Sequence, residues 1–131
     1  MIEVYCDGGA RGNPGPAAFG FVIKEDGRLI KLGKGAIGVA TNNIAEYTAL
    51  IEALTWLKDY HQGQDLNFYL DSKLVVSQLL GLYKVKSPHI GALVLRVKEL
   101  EKNFGKIDYQ HIPRDQNQEA DSLVNEVLDG A

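Results

Sequence analysis

Four acidic residues stand where a chain concerned only with folding has little use for a charge: Asp7, Glu46, Asp71 and Asp121. Asp7 follows the alternating run Ile2-Glu3-Val4-Tyr5-Cys6, and Asp71 follows Leu66-Asn67-Phe68-Tyr69-Leu70. Each sits at the carboxyl end of an expected strand, where open α/β sheets hold their ligands. Either one alone is also an ordinary turn or cap residue, because aspartate favours strand ends. Glu46 lies four residues before Leu50, at the head of the stripe Leu50, Ala53, Leu54, Leu57. A carboxylate on that core-facing stripe needs a cation or hydrogen-bond donors, unless it is the capping-box partner of Asn43. Asp121 shares a helix face with Val124 and Leu128, or is a first-turn acid favoured by the helix dipole. Brought together, four carboxylates repel one another, and such a cluster either raises its own pKa values or binds divalent cations. Oxygen ligands with no Cys or His cluster suit Mg²⁺ or Mn²⁺. Mg²⁺ is commonly held by a few protein carboxylates plus a substrate phosphate, so an acidic site filled with metal is able to take a polyanion.

The elements that must position these groups follow from periodicity and turn signals. Strands are expected over 2–6, 17–25 and 28–37, with a Gly/Pro-rich loop from Gly8 to Pro16 and a hairpin turn at Asp26-Gly27. Thr41-Asn42-Asn43 offers capping side chains for a helix over 43–60. A fourth strand covers 66–70. Ser72 caps a helix over 73–82 with Val75, Val76, Leu79 and Leu80 inward, and Pro88 opens another running to about 103. A fifth strand covers 107–112, and a last helix runs over 117–129 with Ala120, Leu123, Val124, Val127 and Leu128 inward. The order β-β-β-α-β-α-α-β-α implies a mixed sheet with helices packed on it.

Composition limits the function classes. The 131 residues make one domain, 1–131, with 45% apolar and 24% charged residues, as in ordinary soluble proteins. No apolar run nears the roughly 18 residues of a membrane span, and Met1-Ile2-Glu3-Val4 shows no signal-peptide pattern. A single cysteine excludes an internal disulfide and a cysteine-based zinc site. The chain reads as cytoplasmic and reduced, and as a monomer by default. A net charge of −3 excludes a strongly basic nucleic-acid binder, but not a local patch. Residues 71–98 hold Lys73, Lys84, Lys86, Arg96 and Lys98 against Asp71 alone, which a solvated helix face also explains.

The same residues fall into a recognisable set. Tyr5-Cys6-Asp7-Gly8-Gly9-Ala10-Arg11-Gly12-Asn13-Pro14-Gly15 resembles the first motif of type 1 ribonucleases H. Thr41-Asn42-Asn43-Ile44-Ala45-Glu46 resembles the second, Leu70-Asp71-Ser72 the third and Asn117-Gln118-Glu119-Ala120-Asp121 the fourth. The resemblance covers residues 2 to about 129. Asn42-Asn43-Ile44-Ala45-Glu46-Tyr47 and Ile112-Pro113-Arg114 are similar to the compact archaeal and related bacterial branch. It implies an α/β ribonuclease H-like fold, a five-stranded mixed sheet flanked by helices on both faces. It implies an endonuclease that hydrolyses the RNA strand of RNA–DNA hybrids, leaving 5′-phosphate and 3′-hydroxyl ends. Two Mg²⁺ ions about 4 Å apart, with Mn²⁺ as possible substitute, would straddle the scissile phosphate. Asp7 would bridge both, Asp71 and Glu46 would complete one site, and Asp121 the other.

The resemblance also assigns substrate contacts. Asn13, Asn42 and Asn43 match positions that read the hybrid's minor groove, where short amides bond 2′-hydroxyls and base edges. Gly8, Gly9 and Gly12 would permit close approach of the backbone to phosphate, or simply serve tight turns. Thr41 would hold a phosphate of the DNA strand, and Lys73 would make a further contact. Two departures stand out. Many relatives carry a catalytic histidine in a long loop before the fourth motif, whereas here the loop is only Pro113-Arg114-Asp115-Gln116. Arg114 is the candidate to aid product release or phosphate positioning, while His61, His89 and His111 read as surface or strand residues. The basic protrusion of some relatives is reduced to Gly81-Leu82-Tyr83-Lys84-Val85-Lys86-Ser87, which predicts weak, salt-sensitive binding. Double-stranded RNA is a possible added substrate, and a non-catalytic hybrid-binding module on the same fold is the alternative.

Overall fold

The structure, a computed structural model, describes residues 1–130; Ala131, the last residue of the expected domain, lies outside the described residues. Five strands form one sheet in the order β3-β2-β1-β4-β5. These are β1 (Ile2–Ala10), β2 (Gly15–Glu25), β3 (Arg28–Ala40), β4 (Leu66–Leu70) and β5 (Ile107–His111). The first three form an antiparallel meander, and β4 and β5 add in parallel to β1. The helices are α1 (Asn42–Tyr60), α2 (Lys73–Leu79), α3 (Pro88–Glu101) and α4 (Gln118–Gly130). Thr41, Ser72 and Ser87 cap the first three, each hydroxyl accepting from a backbone N–H three residues on.

Alternation along β1 and β2 separates two faces. Ile2, Val4 and Cys6 join Phe21, Ile23, Leu50, Leu54, Leu57 and Phe68 in the main core under α1. The opposite face receives α4, whose Ala120, Leu123 and Val124 are buried. Gly20 of β2 makes that approach possible, because a Cβ there would lie 2.8 Å from the Ala120 carbonyl oxygen. Three ion pairs lie along the outer side of α4: Lys24–Glu119 at 2.8 Å, Lys34–Glu126 at 2.6 Å and Arg11–Asp129 at 2.7 Å.

Several boundaries differ from the expected ones, for physical reasons. The first strand does not stop at residue 6: Asp7, Gly8, Gly9 and Ala10 keep pairing with Gly20, Phe19, Ala18 and Ala17. The expected loop from Gly8 to Pro16 therefore shrinks to residues 11–14. The third strand runs on past residue 37 to Ala40, because Gly38, Val39 and Ala40 pair with Ala17, Pro16 and Gly15 of β2. The second helix ends at Leu79, so Leu80, expected inward, is 51% exposed. The expected loop at 113–116 contains a 3₁₀ turn over Arg114–Gln116. Tyr60, the last residue of α1, is largely exposed beside Trp56.

Candidate active site

The order of the sheet places β1 between an antiparallel neighbour, β2, and a parallel one, β4. Cys6 and Leu70 are the last residues paired between β1 and β4, so Asp7 and Asp71 emerge side by side at that point. This is the switch point at which open sheets leave a crevice. The amino end of α1 closes one side of it and brings Glu46; α4 closes the other and brings Asp121. The resulting cleft, of about 390 Å³, is lined by all four carboxylates and by Gly8, Gly9, Asn42, Asn43 and Arg114 among others.

Asp7, Glu46 and Asp71 each bring an oxygen to within 4.8 Å of the others. Asp7 is 7% exposed and Glu46 5%, so their charges face each other with little water between them. Burial pushes Asp7 up to about 7; the close approach of Glu46 opposes the shift, and the charges of Asp71 and Asp121 add to it. Burial and then the Asp7 charge push Glu46 well above the usual carboxylate range. Asp71 is raised by burial, against the Asn117 amide and the Arg114 charge. Glu46 Oε1 accepts from the Gly8 N–H at 2.8 Å. Its Oε2 is buried with no hydrogen-bond partner. A buried carboxylate oxygen left without a donor, beside two more acids, is a site built for a cation. Three oxygen donors of this kind suit a hard divalent ion. Glu46 makes no capping-box bond; Thr41 caps the helix instead.

Asp121 is not one of the three mutually close acids, although its charge reaches Asp7 and Asp71. Its Oδ1 is 3.4 Å from Arg114 Nη2, and its Oδ2 accepts from Asn125 Nδ2 at 3.4 Å. The amides of the amino-terminal motifs are interlocked. Asn42 Oδ1 accepts from the Ala10 N–H, and Asn13 Oδ1 accepts from the Asn42 N–H, both at 2.9 Å. Gly8 is glycine because α1 lies against it: a Cβ would fall 2.1 Å from the Ala45 carbonyl carbon. Its N–H already serves Glu46. Gly12, Asn13, Thr41 and Lys73 do not line the cleft; Gly12 and Asn13 are exposed in the 11–14 loop, and Lys73 is exposed at the start of α2. None of the three histidines lines the cleft.

Asn117 is a residue whose role sequence reasoning missed, although it opens the fourth motif. It is 1% exposed, and its Nδ2 donates to the Cys6 carbonyl at 2.9 Å. That bond ties the start of α4 to the strand carrying Asp7. The available signal was an amide immediately before a helix that carries a site acid. Replacing Asn117 with alanine removes this buried hydrogen bond to the Cys6 carbonyl. The expected cost is about 1–3 kcal/mol, read as a lowered urea midpoint. A midpoint equal to that of the parent protein would remove this role.

Fold and cleft together define a ribonuclease H-like domain. A family profile described as "Reverse transcriptase-like" matches residues 5–127. The chain is 43% identical to Ribonuclease HI of Halobacterium salinarum over 99% of its length and 65% of the relative's. It is 39% identical to a bifunctional protein of Mycobacterium tuberculosis, over 99% of this chain and 36% of that protein. The chain thus spans less than two thirds of either relative. A solved structure of LC11-RNase H1 in complex with an RNA/DNA hybrid superposes with a TM-score of 0.95 at 39% identity. The match covers 99% of this chain and 98% of that one. The chain belongs to the type 1 ribonuclease H family.

Proposed function

We propose that this chain is a metal-dependent endoribonuclease that hydrolyses the RNA strand of RNA–DNA hybrids, leaving 5′-phosphate and 3′-hydroxyl ends. The observation that carries the reading is the unpartnered, buried Glu46 Oε2 beside Asp7 and Asp71 at the switch point of the sheet. Asp7, Glu46 and Asp71 would hold one divalent ion, and Asp7 with Asp121 a second; Mg²⁺ is the expected metal and Mn²⁺ its substitute. Ions bound there supply an activated water and neutralise charge on the leaving oxygen. The chain's own residues do the rest. The raised pKa values of Asp7 and Glu46 mean that loading the site displaces protons. The Gly8 N–H fixes one Glu46 oxygen, so the other stays directed at the cluster. Arg114, held beside Asp121, is placed to grip a phosphate oxygen or to aid product release.

Asn13 and Asn42 spend their side-chain oxygens on the protein, which leaves their amide NH₂ groups for 2′-hydroxyls and base edges. Asn43 joins them from the cleft wall. Gly9 and Gly12 would let phosphate approach the backbone, with Thr41 and Lys73 as outer contacts. The reading includes a single domain over 1–131, acting as a cytoplasmic monomer; no described helix is long and apolar enough to cross a membrane.

The test uses a labelled hybrid, a matched RNA duplex and single-stranded RNA, each with Mg²⁺, Mn²⁺ or a chelator. Metal-dependent cutting of the hybrid's RNA strand is the expected result, and the RNA-duplex lane sets its breadth. A folded protein that binds the hybrid but cuts nothing with either metal would instead be a binding module. Hybrid affinity is expected to fall about tenfold or more between ~50 and ~200 mM salt. A flat titration would rule out phosphate contacts as the main source of binding.

A further inference from the structure

Arg11 has no role in the scheme above, yet it lines the same cleft. Among the described residues, Arg11 and Arg114 are the two cations of that lining. Both are held by acids of one helix. Arg114 is beside Asp121 in the first turn of α4, and Arg11 Nη2 lies 2.7 Å from Asp129 Oδ1 near the helix end. The root of Arg11 is fixed. Its N–H donates to the Pro16 carbonyl at 2.8 Å, and Ala10 and Asn13 on either side bond to Asn42. Gly15 passes so close that a Cβ there would lie 2.1 Å from the Arg11 carbonyl oxygen. The head of the side chain is not fixed in that way: Arg11 is 50% and Asp129 64% exposed. An exposed ion pair holds its members weakly. A phosphate that accepts two parallel bonds from a guanidinium holds it better. A polyanion entering an acidic cleft also needs a cation on the rim.

We propose that Arg11 is a phosphate-contacting residue of the substrate cleft, and that Asp129 is its internal stand-in for phosphate. The acid occupies the guanidinium until the nucleic-acid backbone displaces it, so Asp129 sets how strongly a substrate must bind to recruit Arg11. The inference rests on the hybrid-cleaving function proposed above. It adds a specificity-determining pair outside the four matched motifs' acidic and amide residues.

The test measures hybrid affinity in chelator at low salt, and KM and kcat with Mg²⁺. It compares the parent, Arg11→Ala, Asp129→Asn and the double variant. Arg11→Ala is expected to weaken binding and raise KM by about tenfold. It should lower the slope of log K against log salt by about one and leave kcat within about twofold. Asp129→Asn should tighten binding by a few-fold, and that gain should vanish when Arg11 is alanine. Unchanged affinity and salt slope in Arg11→Ala would overturn the proposal. So would an equal gain from Asp129→Asn with and without Arg11, since that is only the removal of a negative charge. A parent protein that binds the hybrid without cutting it would sink the proposed activity, while the affinity series would still decide the role of Arg11. Failure of the parent to bind hybrid at all would overturn both.

Discussion

Asp7→Asn is expected to abolish cleavage and, in the same molecule, to raise the melting temperature of the metal-free protein. The loss of activity follows from position. Asp7 is the one carboxylate proposed to touch both ions, so neutralising it removes charge from each site. A fall of at least a thousandfold, about 4 kcal/mol of transition-state stabilisation, is expected. A variant that keeps more than a few per cent of parental activity in Mg²⁺ would take Asp7 out of the catalytic set. The gain in stability follows from burial. Without metal, Asp7 is pushed up to about 7 in the folded chain, against about 3.9 when unfolded. Between those two values the folded state keeps a proton that the unfolded state has released. Stability therefore falls as pH rises through this window, and the loss is complete above it. Asparagine has no such slope. The variant should match the parent near pH 4 and exceed it at pH 8 by on the order of 2–4 kcal/mol. For a domain of this size that is several degrees of melting temperature. Adding Mg²⁺ should narrow the gap, because ligand binding stabilises the parent more than the variant. A variant that melts at or below the parent at pH 8 in chelator would show that the buried Asp7 charge costs the metal-free fold nothing.

The four acids were legible as anomalies because each broke a pattern that the rest of the chain obeyed. Glu46 interrupts an apolar helical stripe, and Asp7 and Asp71 end runs of alternating residues. Their convergence does not follow from periodicity, which leaves the strand order open; in the sequence only the family resemblance implied it. The division within the cluster was not legible in periodicity; only the family resemblance set Asp7, Glu46 and Asp71 together and Asp121 on the other side. Asp7, Glu46 and Asp71 meet closely, while Asp121 is drawn towards Arg114 and Asn125. Glycine caused the main misreadings of the fold. Gly8 and Gly9 look like loop residues, yet they continue β1 by pairing with Phe19 and Ala18, and at Gly8 the backbone of α1 presses on the strand. Gly33 and Gly35 have weak strand preference, yet they sit within β3, where the Phe21 and Phe19 rings occupy the space their side chains would need. In each case the reason is a contact distant in sequence. The same holds for Asn117, whose partner is the Cys6 carbonyl, and for Arg11, whose partner is Asp129. Local patterns report one residue's own preference, and these residues answer to a neighbour.

Gly8→Ala should be the most damaging single methyl group in the chain. The added Cβ would lie 2.1 Å from the Ala45 carbonyl carbon, 2.3 Å from its oxygen and 2.4 Å from the Glu46 nitrogen. All three are backbone atoms of a helix, so no rotamer change relieves the clash. Helix α1 must move off β1 by more than an ångström, and the interface it leaves is the main core. The expected loss is at least about 3 kcal/mol, read as a lowered urea midpoint or as protein found only in the insoluble fraction. The same movement separates Glu46 from the Gly8 N–H and from Asp7. Whatever fraction folds should therefore cut at least about a hundredfold more slowly, since displacements of this size misplace the reacting groups. Gly9→Ala provides the contrast. Its Cβ would meet only Val124 Cγ1 at 3.5 Å, an ordinary contact, so stability should stay within about 1 kcal/mol. If Gly9 admits phosphate to the backbone as proposed, this variant raises KM while its urea midpoint holds. Equal midpoints for Gly8→Ala and the parent protein would mean that α1 is free to ride outward on β1. The placement of Glu46 would then owe nothing to that glycine.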